Sequence, residues 1–546
     1  MPCIQFPHIA RLLLIALLLA APRTLSAESE GLPSVPPGHA PQQTEDSPYG
    51  YFVGTQTETD SESETPTFES QSFESESPDF PPTDLETRIQ NLESLNSELY
   101  RRLDSVERSA QSGSSGKSSS GSDSNSLKAK WHNGAEFESE NKEFRVHVGG
   151  RTQIDASWFQ TDPQFQNDPA IGNRVNDGVG FRRARLRVDG TMYDVIEWAA
   201  EYDFVNSSNL SGGGAPGSPT ALTAPTDLWF AFTELPWVGN IRVGNQKEPI
   251  GFEHLISSRF LPFMERSFNM DGFYGAFNNG FAPGISIYDT YADELGTWAI
   301  GLYKPTTNVF AYDNIPGDAS VTGRLTHLLW YREEGAGLMH VGVSARHATL
   351  ANNFTRYRVR GPERTGLSST LALFADTTTF KGESQDTVNF EAVTNMGCLT
   401  IQSEYLLNYV QDGRTTVGTP LGTVFYHGGY VEALYFLTGE YRDYNRKNAV
   451  FDRVKPLENA FFIRSDCGQC NGWGAWQVGF RYNYLDLNDQ GFNGGKLNDY
   501  TWGLNWFLNP NMKVQWNYSL THRQSPTAAA FDGWNQGFGM RLAHDF

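Results

Sequence analysis

The chain has no apolar run long enough to cross a bilayer as a helix. Such a helix needs about 20 residues, and the longest stretch, LLLIALLLAA from Leu12 to Ala21, holds ten. Arg11 precedes that run and Leu25-Ser26-Ala27 follows it, the pattern of an export signal with a small-residue cleavage site. Residues 1–27 are therefore expected to be removed on export; a retained signal-anchor is the other reading. Cysteine is scarce, with four residues, and Cys3 leaves with the signal. Cys398 stands alone in a strand-like run and reads as inert. Cys467 and Cys470, in CGQC, allow a redox pair or half a zinc site, but no second CxxC or nearby His pair supports zinc. In an oxidising compartment a loop-stapling disulfide is the expected reading. No nucleophile elbow, phosphate-cradling loop or HExxH motif is present, so neither an enzyme nor a cofactor is expected. Positive charge is also short, 42 Lys and Arg against 63 Asp and Glu for a formal net charge of −21, which argues against a nucleic-acid partner.

What is present changes character along the chain. Residues 28–83 are acidic and of low complexity, as in TETDSESETPTFESQSFESESPDFPP. With few apolar groups this segment cannot offset its ordering entropy and is expected to be disordered. In residues 84–108, Leu85, Ile89, Leu92, Asn96, Leu99, Leu103 and Val106 alternate at spacings of four and three. That is the seam of a coiled coil, with Asn96 as the polar residue that sets register; an amphipathic helix packed on its own domain is the alternative. Residues 109–130, with SAQSGSSGKSSSGSDSNS, read as a flexible linker.

From Trp131 onward the period becomes two. In FRRARLRVDG, residues 181–190, Arg183, Arg185 and Arg187 oppose Ala184, Leu186 and Val188. Successive strand residues point to opposite faces, so one face is cationic and the other apolar. Lys513, Gln515, Asn517 and Ser519 likewise oppose Met512, Val514, Trp516, Tyr518 and Leu520. A soluble sandwich would turn the charged faces to water. A membrane barrel would turn the apolar faces to lipid and the charged faces to a water-filled lumen. The absence of helical segments over 131–546, together with aromatic-ended strands and long Gly/Asn/Asp loops, points to an all-β, antiparallel transmembrane barrel.

Several stretches carry a family resemblance. VHVGGRTQIDASWF (146–159), FRRARLRVDGTMYD (181–194), IRVGNQKEPIGFEHLISSRFLPFMERS (241–267), GAWQVGFRYNYLDLND (474–489) and WGLNWFLNPNMKVQWNYS (502–519) resemble the phosphate-selective porins O and P. The resemblance implies a 16-stranded barrel in the outer membrane of a Gram-negative-type bacterium, a homotrimer, and a passive channel for small anions such as phosphate or polyphosphate. It also implies that the strand ending on Phe546 is read by the barrel-assembly machinery. Carried over position by position, it puts Arg151, Arg182, Arg183, Arg259 and Arg266 at basic positions of the pore. Parity or proximity adds Arg185, Arg187, Arg242 and Lys247. The apolar loop HLISSRFLPFMERSFNMDGFYGAF (254–277) is the one expected to fold inward and narrow the channel.

Two features depart from the family pattern or complicate it. Gly251-Phe252-Glu253 is followed by His254, where phosphate-selective members carry Lys, so the charge there is expected to be missing or pH-dependent; a packing residue in a mostly apolar loop is the other reading. Glu197, Glu201 and Asp203 offer the arginines ion-pair partners, so some of them are expected to brace the wall instead of binding solute. A rival reading makes the barrel an anchor for a periplasmic coiled-coil tether.

Overall fold

The computed structural model describes residues 127–205, 223–274, 280–304, 319–365, 371–460, 464–465, 468–469 and 472–546. The segments expected to be an export signal, a disordered acidic stretch and a coiled coil, and residues 109–126 of the expected linker, lie outside the described residues, as do Cys467 and Cys470. The last four linker residues do not behave as a linker. Leu127–Trp131 (β1) pairs with Ala135–Ser139 (β2), Leu127 opposite Ser139, because LKAKW and AEFES carry alternating apolar and charged residues with opposite charges facing across the pair.

Sixteen strands follow and close on themselves. They are β3 (Phe144–Thr161), β4 (Gly178–Met192), β5 (Ile196–Asp203), β6 (Ala224–Leu235), β7 (Gly239–Lys247), β8 (Phe281–Tyr291), β9 (Gly296–Tyr303) and β10 (Ser320–Arg332). The second half is β11 (Gly337–Thr349), β12 (Ser384–Met396), β13 (Leu399–Arg414), β14 (Pro420–Phe436), β15 (Ala475–Asp489), β16 (Phe492–Asn509), β17 (Met512–Gln524) and β18 (Gly533–Asp545). Each pairs antiparallel with the next, and β18 returns to β3 with Asn535 opposite Thr161 and Asp545 opposite Arg151. Closure leaves no bare sheet edge among these sixteen, which is what a strand protein needs in hydrocarbon. Phe546 completes the seam: Gly150 N–H donates to its carbonyl at 2.7 Å.

The faces settle the choice between sandwich and barrel. Along β18, Arg541 is 0 % exposed while its neighbour Leu542 is 40 % exposed, and Phe538 and Met540 join the exposed row. Arginine inside and leucine outside is the wrong way round for water and the right way round for lipid. One local feature breaks parity. A bulge between Gln153–Arg183 and Ile154–Phe181 inserts Arg182 as an extra residue, so Arg182 and Arg183 are both buried.

The lumen is furnished from both ends. Short turns join β4–β5, β6–β7, β8–β9, β10–β11 and β12–β13 at the end that also carries Phe546. The opposite end carries the long connections, of which residues 248–280 and 350–383 pack inside against a shared apolar cluster that includes Phe268, Phe273, Tyr357 and Phe374. Residues 437–474, between β14 and β15, break this rule, because they form a long connection at the short-turn end. Of its described residues, 444–451 turn inward. Tyr444, Ala449 and Phe451 join Phe252, Ile256 and Leu261 of the 248–280 loop in one buried cluster, and Tyr444 Oη lies 2.7 Å from His340 Nδ1. Cys398, expected to be inert, is buried in the β12–β13 turn and is disulfide-bonded. The chain's other cysteines, Cys3, Cys467 and Cys470, lie outside the described residues.

Candidate functional site

The loop 248–280 leaves β7 at Glu248 and crosses the lumen, held by backbone groups that would otherwise be orphaned there. Glu404 on β13 accepts Phe252 N–H at 2.6 Å and Glu253 N–H at 2.9 Å. On the far wall Lys513 donates to Leu261 O at 2.8 Å and Asn505 to Pro262 O at 2.8 Å. Glu265 is the central clamp. Arg182 grips it through two bonds of 2.6 and 2.8 Å, and Arg541 adds a third at 2.9 Å. Burial alone would raise the Glu265 carboxyl, but Arg182, Arg183 and Arg364 hold it well below the usual carboxylate range.

Between this loop and the β3–β10 wall lies a cavity of about 370 Å³. Ten basic side chains and four carboxylates line it. Eight of the ten residues expected from the sequence are among the lining: Arg151, Arg183, Arg185, Arg187, Arg242, Lys247, Arg259 and Arg266. They divide by partner. Arg151 and Arg185 share Glu201, the Arg185 bond being 3.0 Å, and Arg185 also meets Asp203 at 2.9 Å. Arg187 bonds Asp189 at 2.8 Å and Asp227 at 3.1 Å. These three brace the wall: Arg151 and Arg185 through Glu201 and Asp203 of β5, as expected, and Arg187 through Asp189 of β4 and Asp227 of β6 instead.

The others make no hydrogen bond to a carboxylate. Arg183 donates to the neutral Gln153 amide oxygen at 2.8 Å, and its nearest carboxylate, Glu265, is 3.9 Å away. Arg242 lies over Trp229 at 4.0 Å and donates to Tyr288 Oη at 3.0 Å. Lys247 donates to the carbonyls of His254 and Ile256 at 2.5 and 3.3 Å, and Arg266 to those of Glu253 and Ile256 at 2.9 and 2.5 Å. Arg259 is 3.6 Å from Asp545. Burial and then Arg151 push Arg259 down to about 9, and burial pushes Arg266 down to about 10; both stay cationic at neutral pH. A cavity with fixed cations and half-occupied donors is suited to bind an anion weakly and release it.

Two expected residues fall elsewhere. Arg182 is spent on Glu265. His254 is 1 % exposed and is not among the residues lining the cavity. Its Nδ1 lies 3.1 Å from Ile250 O and its Nε2 3.2 Å from Gly280 O. Burial, then the charges of Lys247 and Arg266, hold its pKa well below the ordinary imidazole value. The sign follows: below about 6.5 the unfolded chain takes a proton that the folded loop refuses, so stability falls as pH drops. Accordingly, the change in ion preference between about pH 7.5 and about pH 5.5, on either side of the free imidazole value, is expected to be the same in wild type and His254→Gln. Paired reversal potentials check this; a response lost in the variant would contradict it. Two lining cations escaped the sequence reading. Arg324, which meets Glu391 at 2.7 Å, shares the inward parity of Thr322 and Thr326 and was open to that argument. Lys447 comes from the 437–474 connection and carries no such signal.

The model of the family described as phosphate-selective porin O and P matches residues 146–546. The chain belongs to that family. It is a porin of the Gram-negative outer membrane, with a channel-type barrel. Among relatives, Porin O of Pseudomonas aeruginosa is 24 % identical over 442 residues, covering 76 % of this chain and 91 % of that protein. An uncharacterized protein of Caulobacter vibrioides is 26 % identical over 406 residues, covering 73 % of this chain and 72 % of its own length. Among solved structures, OmpF of Salmonella typhi in complex with daunomycin aligns with a TM-score of 0.44 at 12 % identity, over 74 % of this chain and 99 % of its own. The outer membrane channel DcaP of Acinetobacter baumannii aligns at 0.42 and 10 % identity, over 75 % and 99 %.

Proposed function

We propose that this porin passes small anions, phosphate among them, by passive diffusion through the basic cavity. One observation carries the reading: cations outnumber carboxylates ten to four around the cavity, and Arg183, Arg242, Lys247 and Arg266 meet no carboxylate at hydrogen-bonding distance. Arg is charged at any physiological pH, and its planar fork can grip two oxygens of one phosphate. Loss of the phosphate's hydration is offset by charge-assisted bonds, while the spread of sites keeps any one from trapping it. Membership of the porin O and P family supports the same solute class, a homotrimeric assembly, and delivery by the barrel-assembly machinery through the β18 end at Phe546. The test is current block: inorganic phosphate added to purified protein in a planar bilayer is expected to reduce the chloride current in a saturable manner. Sulfate and phosphate blocking no better than an equal concentration of added chloride would remove the phosphate assignment.

A further inference from the structure

Below the basic cavity, toward the short-turn end, lies a second chamber of larger volume, about 790 Å³. Its walls are the β1–β2 hairpin, the start of β3, the β10–β11 turn and the 437–459 part of the inward connection. The two spaces share Arg259, Phe260, Asn445 and Asp452 in their lining, so these four residues stand at the boundary between them. The charge balance reverses across that boundary. Six carboxylates and four cations line the lower chamber; Glu136 pairs with Lys130, Asp189 with Arg187 and Arg259 with Asp545, so three of the six carboxylates and three of the four cations are already in ion pairs. Arg453 pairs with Asp545, and Lys455 pairs with Asp443 at 2.8 Å. Glu334 and Asp452 form no ion pair among the described residues.

We propose that the lower chamber is a cation-admitting filter in series with the anion-admitting cavity, that the pore therefore rectifies ionic current, and that Asp452 at the junction helps set the asymmetry. This inference rests on the porin reading above. The physics is that of two oppositely charged zones in contact. Each zone concentrates its counter-ion, because field lines are focused in a narrow, low-dielectric-walled space. When the short-turn side is positive, cations enter through the acidic chamber and anions through the basic cavity. Both accumulate at the Arg259–Asp452 junction, and conductance is high. With the voltage reversed, both are drawn away from the junction, and conductance falls. The acidic chamber is larger in volume and carries the smaller charge excess, so it bends the current–voltage curve without cancelling the preference for anions.

The experiment uses the full-length protein in planar bilayers, in symmetric KCl at one pH, so that His132 and His147, which also face the chamber, contribute no difference. In ~0.1 M KCl, where screening reaches ~10 Å, currents at equal and opposite voltages are expected to differ by about twofold; at ~1 M, where it reaches ~3 Å, the ratio is expected to approach one. In the Glu334→Gln, Asp452→Asn double variant the low-salt ratio is expected to approach one with the channel still open. A straight current–voltage line from wild type in low salt overturns the inference and leaves the porin reading standing. An unchanged ratio in the double variant assigns the asymmetry to pore shape and also overturns it. No channel activity from wild type removes the porin reading itself, and this inference with it.

Discussion

Glu265→Ala is expected to release the inward loop, raising single-channel conductance and lowering stability by about 3–5 kcal/mol, the usual consequence of stripping one partner from a buried ion pair. Glu265 is 3 % exposed and meets Arg182, Arg541, Arg183 and Arg364. Without it Arg182 is left as a buried guanidinium that has lost both of its bonds to the loop carboxylate. Arg541 keeps Asp155, at 2.7 and 2.6 Å, so β18 itself stays in register. The effect therefore falls on the loop and not on barrel closure. Denaturant unfolding in detergent gives the stability change and bilayer recording gives the conductance. Wild-type conductance and stability together would show that the loop is held by its apolar cluster and backbone bonds alone.

The second large effect is expected at the cations that hydrogen-bond no carboxylate. Arg183→Gln and Arg259→Gln are each expected to weaken block by phosphate about tenfold. A hydrogen bond to a charged group is worth about 1.5–3 kcal/mol, and about 1.4 kcal/mol is a factor of ten in affinity. Arg187→Gln is the comparison. Arg187 lines the same cavity but is occupied by Asp189 and Asp227, so its loss is expected to matter less for phosphate. Concentration–block curves for the three variants rank them; Arg187→Gln weakening block as much as Arg183→Gln would mean that net charge, and not free donors, governs binding.

Much of this was legible in the sequence because a barrel wall is built by period-two alternation. Arg183, Arg185 and Arg187, and Lys513 through Ser519, face where their parity places them. Arg182 was legible only through the family pattern, since a bulge is a backbone event with no fixed side-chain signature. The inward loop announced itself by being too apolar for an outer loop. The fate of His254 did not follow, because burial depends on Gly280 and Tyr274 closing over the ring, a contact made by chain returning from the far side of the lumen. The 437–474 connection was hidden for a related reason. Its polarity is that of an ordinary loop, and its place inside the pore shows only in the fold, where Tyr444 meets His340 and Phe451 seats on Phe252 with ring centroids 5.4 Å apart. Cys398 reads as solitary along the chain because its bonding partner is not in its own strand pair.

The reversal potential of the purified wild-type channel in a KCl gradient tests the central claim most directly. Anion selectivity depends on fixed positive charge facing the permeating ion, and reversal potential reports that charge without reference to any one residue. The account predicts a sign set by chloride at neutral pH and low salt, shrinking toward zero as the salt rises and the arginines are screened. A potential of the opposite sign, set by potassium, would mean that the carboxylates govern permeation and would contradict the account.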